Sequence, residues 1–499
     1  MMVNFDIVRE AVKEISSNYF EDHSKQRVKE DVVDNWNVLI GVFTYLGNKN
    51  AYLVGDPGTG KTTFACVVES ILSGLPFDLL DALKQQGHPE QTKDTLLARA
   101  DLGDLANEGV VWQASDFLPA GILDEINRLP PGKQAISLEY IRTGLIEHLS
   151  RIFRDYDYIG LPDGGTKKIP RKKPFFATVN YNGAGTYPLP PAALDRFDIN
   201  LEFRKGPSFA QDEIRGKAKK IKLDLIDVEK TDDIIAFLLR KNRTIEERLN
   251  YVSENCRADI PKSTEWIEFA EELPWNPHAK DYLRCLWDET VYSPRYGENR
   301  MSDIQDQSDR AKGVVVRTDN DDETQEAAAP SRRPKGLACY KVRAGMSPRN
   351  WDAINFYAGM LAGYLGSEEV KLEHVMAVAP YTMAHRMEFY ESFSSKFAGE
   401  TRLDGDYKEL DLAKRLLKDV KENYDLVADE IKKLDSYISA DGIVYKEDED
   451  GYVTDEIDEQ GMTDVETMVK GPEPDHPYFK LIWKEAKRVY DSKRLESAD

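Results

Sequence analysis

The sequence predicts an α/β fold: a parallel sheet with helices on both faces, followed by helical segments that end in an acidic extension. Three observations carry this. From Ala51 to about Phe203, short apolar runs alternate with helical stretches. The run Ala51-Tyr52-Leu53-Val54 leads straight into the glycine-rich octapeptide Gly55-Asp56-Pro57-Gly58-Thr59-Gly60-Lys61-Thr62. A second run, Gly121-Ile122-Leu123, ends in Asp124-Glu125, and ligands of parallel sheets bind where strands end.

Taken in order, residues 1–48 read as helices, with apolar residues at helical spacing in Val8-Arg9-Glu10-Ala11-Val12 and Trp36-Asn37-Val38-Leu39-Ile40. Residues 49–205 read as the α/β core, with central strands expected at Ala51–Val54, Gly121–Leu123 and Phe175–Val179. Residues 206–255 are helical and charged. Residues 256–345 read as an insertion, partly disordered, because 293–345 hold many Pro, Gly and charged residues and few apolar ones. Residues 346–396 return to helix at Ser347-Pro348-Arg349. Residues 397–499 form the helical, acidic extension, with a helix from Leu410 to Ile438 and an acidic tract from Glu447 to Glu466 that carries no Lys or Arg. That tract reads as a solvated linker. Placing Gly451 at position 6 of a calcium loop puts Lys446 and Ile457 at its ends, so an EF-hand is excluded.

Bulk composition narrows the class. A chain of 499 residues has room for two to four domains, and 41% hydrophobic with 31% charged residues describes a soluble globular protein. Its net charge of −22 argues against a surface that binds nucleic acid or anionic membrane as a whole. Four scattered cysteines (Cys66, Cys256, Cys285, Cys339) form no C-x-x-C pair, which suits a reduced compartment. Residues Met1 to Glu10 hold no signal-type apolar core, and the apolar stretch near Val38 to Leu46 is too short for a bilayer. A cytoplasmic location with no membrane span is expected.

The octapeptide fits G-x-x-x-x-G-K-[ST], the phosphate-binding loop of nucleoside triphosphatases. Its glycines let successive N–H groups curl around a triphosphate, and the following helix presents its N-terminus to the charge. Lys61 reaches the β- and γ-phosphates and the Thr62 hydroxyl ligates Mg²⁺. Gly55, Asp56, Pro57, Gly58, Thr59, Gly60, Lys61, Thr62 and Thr63 are the expected ATP contacts. Asp124 would hold Mg²⁺ through its water shell, and Glu125 would orient and polarise the attacking water. Asn180, closing Pro174-Phe175-Phe176-Ala177-Thr178-Val179-Asn180, is placed to hold that water, although Asn is also common at strand ends as a turn former.

With these parts in order, the chain resembles the MoxR family of AAA+ ATPases. Leu123-Asp124-Glu125-Ile126-Asn127-Arg128-Leu129-Pro130-Pro131 with Lys133-Gln134 resembles its Walker B segment. Gly185-Thr186-Tyr187-Pro188-Leu189-Pro190 and Leu194-Asp195-Arg196-Phe197 are similar to its stretch after sensor 1; Ser347-Pro348-Arg349 and Val375 to Met387 resemble its lid. The resemblance covers roughly residues 30–205 and 346–390. It implies an AAA+ P-loop core followed by a helical lid, and a ring, usually a homo-hexamer. It further implies chaperone-like remodelling of protein substrates, in maturation or metal-cofactor insertion, with von Willebrand factor A domain proteins as partners. It implies sensor 1 at Asn180, sensor 2 at Arg349 and an arginine finger at Arg196; the plain alternative for Arg196 is an ion pair within its own subunit. The long stretch 256–345 and the acidic extension depart from the family pattern and leave substrate and partner open.

Residues 151–173 carry Arg151, Arg154, Lys167, Lys168, Arg171, Lys172 and Lys173 against Asp155, Asp157 and Asp163, a local excess of positive charge. With Gly164-Gly165 they suggest a hairpin that engages a polyanion in a ring channel, or a solvated loop tip; the tract Glu447 to Glu466 is a candidate autoinhibitory occupant. A nucleic-acid motor or restriction-type NTPase is the alternative function. It lacks a helix-turn-helix, zinc or OB-type module, and Val179-Asn180-Tyr181-Asn182 departs from the Asn-Thr-Ala-Asp of restriction-type GTPases. A nucleotide-gated scaffold without turnover is disfavoured by Glu125.

Overall fold

The computed structural model describes residues 3–90, 98–100, 110–134, 141, 145–148, 151–154, 156–160, 166–170, 172–180, 185–205, 210–240, 243–293, 298–299, 338, 341–342, 345–395, 408–435, 445–447, 453–457, 470–471, 483 and 487. The chain divides into two compact units. The first comprises residues 1–273, 348–368 and 381–386; the second comprises 274–347, 369–380 and 387–499.

In the first unit, helix α1 (Phe5–Glu14) opens on Asn4, whose side chain accepts from Asp6 N. A hairpin follows, β1 (Lys25–Val28) with β2 (Asp31–Asp34), and then helix α2 (Trp36–Leu46). The hairpin departs from the all-helical reading of residues 1–48. Lys29 at φ 56° makes its turn without glycine, so the usual sequence mark of a two-residue turn is missing. Helix α2 is buried on nearly every side, as expected of an apolar helix without a polar face.

The sheet is built from β3 (Asn50–Gly55), β4 (Gln85–Gln86), β7 (Gly121–Asp124), β12 (Phe175–Val179) and β13 (Ile199–Phe203). Their order is β13-β3-β12-β7-β4 and every neighbour is parallel. β12 is buried throughout and β3 from its second residue on, because helices cover both faces of a parallel sheet. On one face helix α3 (Lys61–Ser73) sets Phe64 against Phe176 and Phe203. On the other, Tyr52 meets Phe197 and His385. The expected strands are all present. Three further hairpins lie off the sheet: β5 (Ala98–Ala100) with β6 (Val110–Trp112), β8 (Leu145–His148) with β9 (Arg151–Arg154), and β10 (Tyr156–Gly160) with β11 (Thr166–Pro170). The last is the hairpin expected within 151–173, although its Gly164-Gly165 tip lies outside the described residues.

Close approaches join the helices around α2. A Cβ on Gly41 would lie 2.5 Å from the Phe64 ring, and one on Gly359 would lie 2.8 Å from Ala270 O. The Thr44 hydroxyl meets Tyr357 OH at 2.9 Å. Helix Pro348–Tyr364 thereby rests on α2 and on helix Ser263–Glu272.

The second unit is held by helix Pro277–Val291 against helix Lys408–Asp435. Tyr282 donates to Leu417 O at 3.2 Å, His278 Nδ1 meets Tyr424 OH at 3.0 Å, and Asn423 Nδ2 donates to the buried Glu289 at 3.3 Å. Ala338 N also donates to Glu289, at 3.0 Å. Two ordered helices therefore fall inside the stretch read as an insertion, and residues 300–337 lie outside the described residues. Strands Tyr445–Glu447 and Val453–Ile457 pair antiparallel, so the acidic tract is not a plain solvated linker at its start. No helix among the described residues is long and apolar enough to cross a membrane.

One glycine tests the sheet register. A Cβ on Gly55 would lie 2.2 Å from Phe203 O on the neighbouring strand. Gly55→Ala should therefore cost about 1–3 kcal/mol in stability, visible as a lower midpoint in thermal denaturation.

Candidate functional site

The candidate site lies where β3, β7 and β12 end. After β3 the chain turns through Gly58 (φ 77°) and Gly60 (φ 83°) into α3. These left-handed positions favour glycine. A Cβ on Gly58 would meet nothing within 4 Å, so the loop opens towards space that a ligand can enter.

Lys61 is buried, with its ammonium turned back into the loop. Nζ donates to Gly55 O at 2.7 Å, Asp56 O at 2.9 Å and Asn180 Oδ1 at 2.7 Å, and lies 3.4 Å from Thr59 Oγ1. Burial pulls the Lys61 ammonium down to about 8, opposed by the charges of Asp124, Asp56 and Glu125. Beside it, Thr62 Oγ1 donates to Asp124 Oδ1 at 2.7 Å. The same carboxylate oxygen accepts from Thr178 Oγ1 at 2.6 Å, and Thr178 Oγ1 accepts from Glu125 N at 2.9 Å. The hydroxyl of Thr178 thus binds both members of the acidic pair.

Glu125 takes φ 52°, a left-handed conformation that costs a non-glycine residue energy and gathers at functional sites. Gly87 supports it: Gly87 N donates to Asp124 O at 2.7 Å, and a Cβ there would lie 2.3 Å from Glu125 O. Both Glu125 oxygens are engaged. Asn180 Nδ2 donates to Oε1, and Arg128 Nε stands 2.9 Å from Oε2 as an ion pair whose N–H is not aligned for a hydrogen bond. Asn127 Nδ2 donates to Asn180 O at 2.7 Å, and Tyr187 N donates to Asn127 O at 2.7 Å.

The structure thus brings Lys61, Thr62, Asp124, Glu125 and Asn180 into one connected cluster. Thr178, Asn127, Arg128 and Gly87 are site residues that the motif reading passed over. Thr178 had a signal, a hydroxyl inside an apolar run; Gly87 had none, since nothing local marks it as facing Glu125. The residues fit a magnesium nucleotide: positive-φ glycines, a helix N-terminus, a lysine and a Thr–Asp pair of hard oxygens.

Arg196 and Arg349 are elsewhere. Asn50, the first residue of β3, donates from Nδ2 to Arg196 O at 3.1 Å and from N to Asp198 Oδ2 at 2.8 Å. This is the strand-start edge, about 16 Å from the phosphate loop at ~3.3 Å per residue. Arg349 pairs with Asp195 through Nη1, and the buried Arg386 donates from Nη2 to Asp195 O at 3.2 Å. Arg196 is half-buried beside them. Lys173, counted with the basic hairpin, turns inwards instead and donates to Ser115 O at 3.0 Å.

No family model matches the chain, and no curated protein matches it. Among solved structures it is similar to one from Cytophaga hutchinsonii described as a "putative ATPase", at 14% identity over 84% of this chain and 94% of that one, with a TM-score of 0.46. A likeness that distant carries no argument; the α/β fold stands on the strand order above.

The buried lysine gives a test. Phosphate charge should hold the Lys61 proton, so ATP binding should take up about half a proton at pH 8 and close to one at roughly pH 9 to 9.5. Calorimetry in two buffers of different ionisation enthalpy measures this, and equal apparent enthalpies would overturn it.

Proposed function

We propose that the chain is an ATP-hydrolysing AAA+ ATPase, MoxR-like, that works as a chaperone-like remodeller of a partner protein complex. The observation that carries the reading is the unbroken set of contacts from Lys61 through Asn180 to Glu125, beside Thr62 and Asp124. A phosphate loop alone binds. Joined to a polarised carboxylate and a strand-end amide, it can also direct a water.

Each residue then has a task. The Lys61 ammonium exchanges backbone carbonyls for β- and γ-phosphate oxygens. Thr62 and Asp124 would hold Mg²⁺, which neutralises phosphate charge when bound. Thr178 fixes the Asp124 carboxylate and the Glu125 amide together. Glu125 accepts a hydrogen bond from the attacking water and polarises it, and Asn180 orients that water from the opposite side. Arg128 holds Glu125 aside until the site is occupied.

Arg196 and Arg349 sit together around Asp195, at the edge away from their own phosphate loop. For Arg196 such a placement suits an arginine finger acting on a neighbouring subunit's nucleotide, where a fixed cation stabilises transition-state charge; Arg349 keeps the sensor 2 role that the resemblance implies. A homo-hexameric ring, a von Willebrand factor A domain partner, a protein substrate and a cytoplasmic location belong to the same reading. The hairpin β10–β11 favours one competing reading, a nucleic-acid motor, which would show turnover stimulated by DNA in a salt-dependent way.

Two substitutions test the site. Lys61→Ala should abolish nucleotide binding, whereas Glu125→Gln should bind ATP and hydrolyse it roughly tenfold or more slowly. Turnover at the wild-type rate from Glu125→Gln would remove it from the chemistry. For the ring, Arg196→Ala should bind ATP without turning it over, and mixing it with Glu125→Gln protomers should restore part of the activity. No recovery in the mixture would count against action between subunits.

A further inference from the structure

Glu69 lies on α3, two helical turns beyond Thr62, and is fully buried. None of the chemistry above uses it. Its Oε1 accepts from Ala120 N at 3.2 Å, and Ala120 immediately precedes the strand that ends in Asp124. Its Oε2 has no hydrogen-bond partner among the described residues. Glu69 lines a cavity of about 10 Å³ together with Lys173, Gln85 and Ser115, room for about one water molecule. Across the cavity, Lys173 donates to Ser115 O at 3.0 Å and Asp116 O at 3.3 Å and lies over the Phe175 ring.

The contacts join three elements at one edge. Glu69 belongs to the helix that begins at Lys61. Ala120 leads into the strand of Asp124 and Glu125. Lys173 leads into the strand that finishes beside Asn180, and it is where the hairpin segment rejoins the sheet. A strand is too stiff to absorb a shift along its length, so its start sets the advance of its end.

We propose that Glu69 and Lys173 are positioning residues, a proton-operated clamp at the strand-start edge that sets Asp124 and Glu125 against Lys61 and Thr62. The inference rests on the reading of Asp124 and Glu125 given above. Ionised, Glu69 makes a charge-assisted bond to Ala120 N and attracts Lys173. Protonated, it loosens both. Burial raises the Glu69 carboxyl to about 7, opposed by the Lys173 charge and the Ala120 N–H. The other ionisable groups nearby are Cys66 on its own helix, Lys84 at the end of helix α4 (Phe77–Leu83), which lines the same cavity, Asp81 on that helix, whose charge reaches Cys66, and Asp116 in the turn Ala114–Phe117, whose carbonyl accepts from Lys173. Burial raises the Cys66 thiol further, so it stays neutral across the same range. Lys84 is paired with Asp81.

The test is the pH profile of ATP turnover by the full chain. In the wild type kcat should rise as pH climbs through about 7. In Glu69→Gln that limb should vanish and kcat at pH 8 should drop about fivefold, with KM for ATP within about twofold. Profiles that superimpose would overturn the clamp. Lys173→Gln removes the charge that favours ionisation, so the limb should move up by about one pH unit; an unmoved midpoint would also overturn it.

A second readout needs no turnover. A carboxyl raised in the folded state binds its proton more tightly there, so its contribution to stability is full below about 4.5 and is lost as pH rises to about 7. Glu69→Gln should match the wild type in melting temperature at pH 4 and exceed it at pH 8. Equal melting temperatures at both would overturn the buried, proton-holding carboxyl on which the clamp depends. If the wild type shows no ATP turnover while this melting difference appears, the reading of the nucleotide site fails and the buried carboxyl stands.

Discussion

The oxygen Oδ1 of Asp124 is the point on which the site's order depends. It accepts from Thr62 on the helix after the phosphate loop and from Thr178 on the adjacent strand. Two donors of fixed geometry hold one carboxylate from both sides, so its position is set without a bound cation. Thr178 then carries that order to Glu125 through the backbone N–H. Catalytic groups positioned before substrate arrives avoid much of the reorganisation that a mobile site must undergo during reaction. Here the positioning comes from two hydroxyls, Thr178 buried in the sheet and Thr62 half-buried on α3.

The resting pairings point in a consistent direction. The Lys61 ammonium, the Glu125 carboxylate and the Asn180 amide satisfy one another. In the proposed reaction each would exchange a partner within the protein for a ligand atom. Burial of Lys61 lowers the cost of that exchange, because the ammonium is already desolvated. The left-handed backbone at Glu125 adds a second bias, holding the carboxylate in a conformation that an ordinary turn would leave.

Much of this was legible in the sequence. Gly55 to Thr62, the apolar-Asp-Glu ending at Asp124-Glu125 and the strand of Asn180 encode local conformation and local chemistry together, so their spacing along the chain suffices. The three central strands of the sheet followed from their apolar runs for the same reason, whereas β4, the polar pair Gln85–Gln86, carries no such mark. Other parts depend on distance in space. Nothing near Gly87 announces that it faces Glu125 O, and Lys173 looked like one more exposed base until the carbonyls of residues 115 and 116 came to surround it. The hairpin at Lys25–Asp34 escaped because its turn uses Lys29 where glycine is usual.

The second unit is drawn from three separate stretches of chain: 274–347, 369–380 and 387–499. The helix Pro277–Val291 and the helix Lys408–Asp435 bury Tyr282 and Tyr424 together. The middle of the chain and its C-terminal region are therefore one folding body, although more than a hundred residues of sequence separate them. Loop closure over that span must precede their contacts, so this body depends on long-range order more than on local helix formation. Such an architecture cannot be gained or shed by fusion at one end. A shortened chain that stops before Lys408 would leave the apolar side of Pro277–Val291 in water, a sticky surface prone to aggregation.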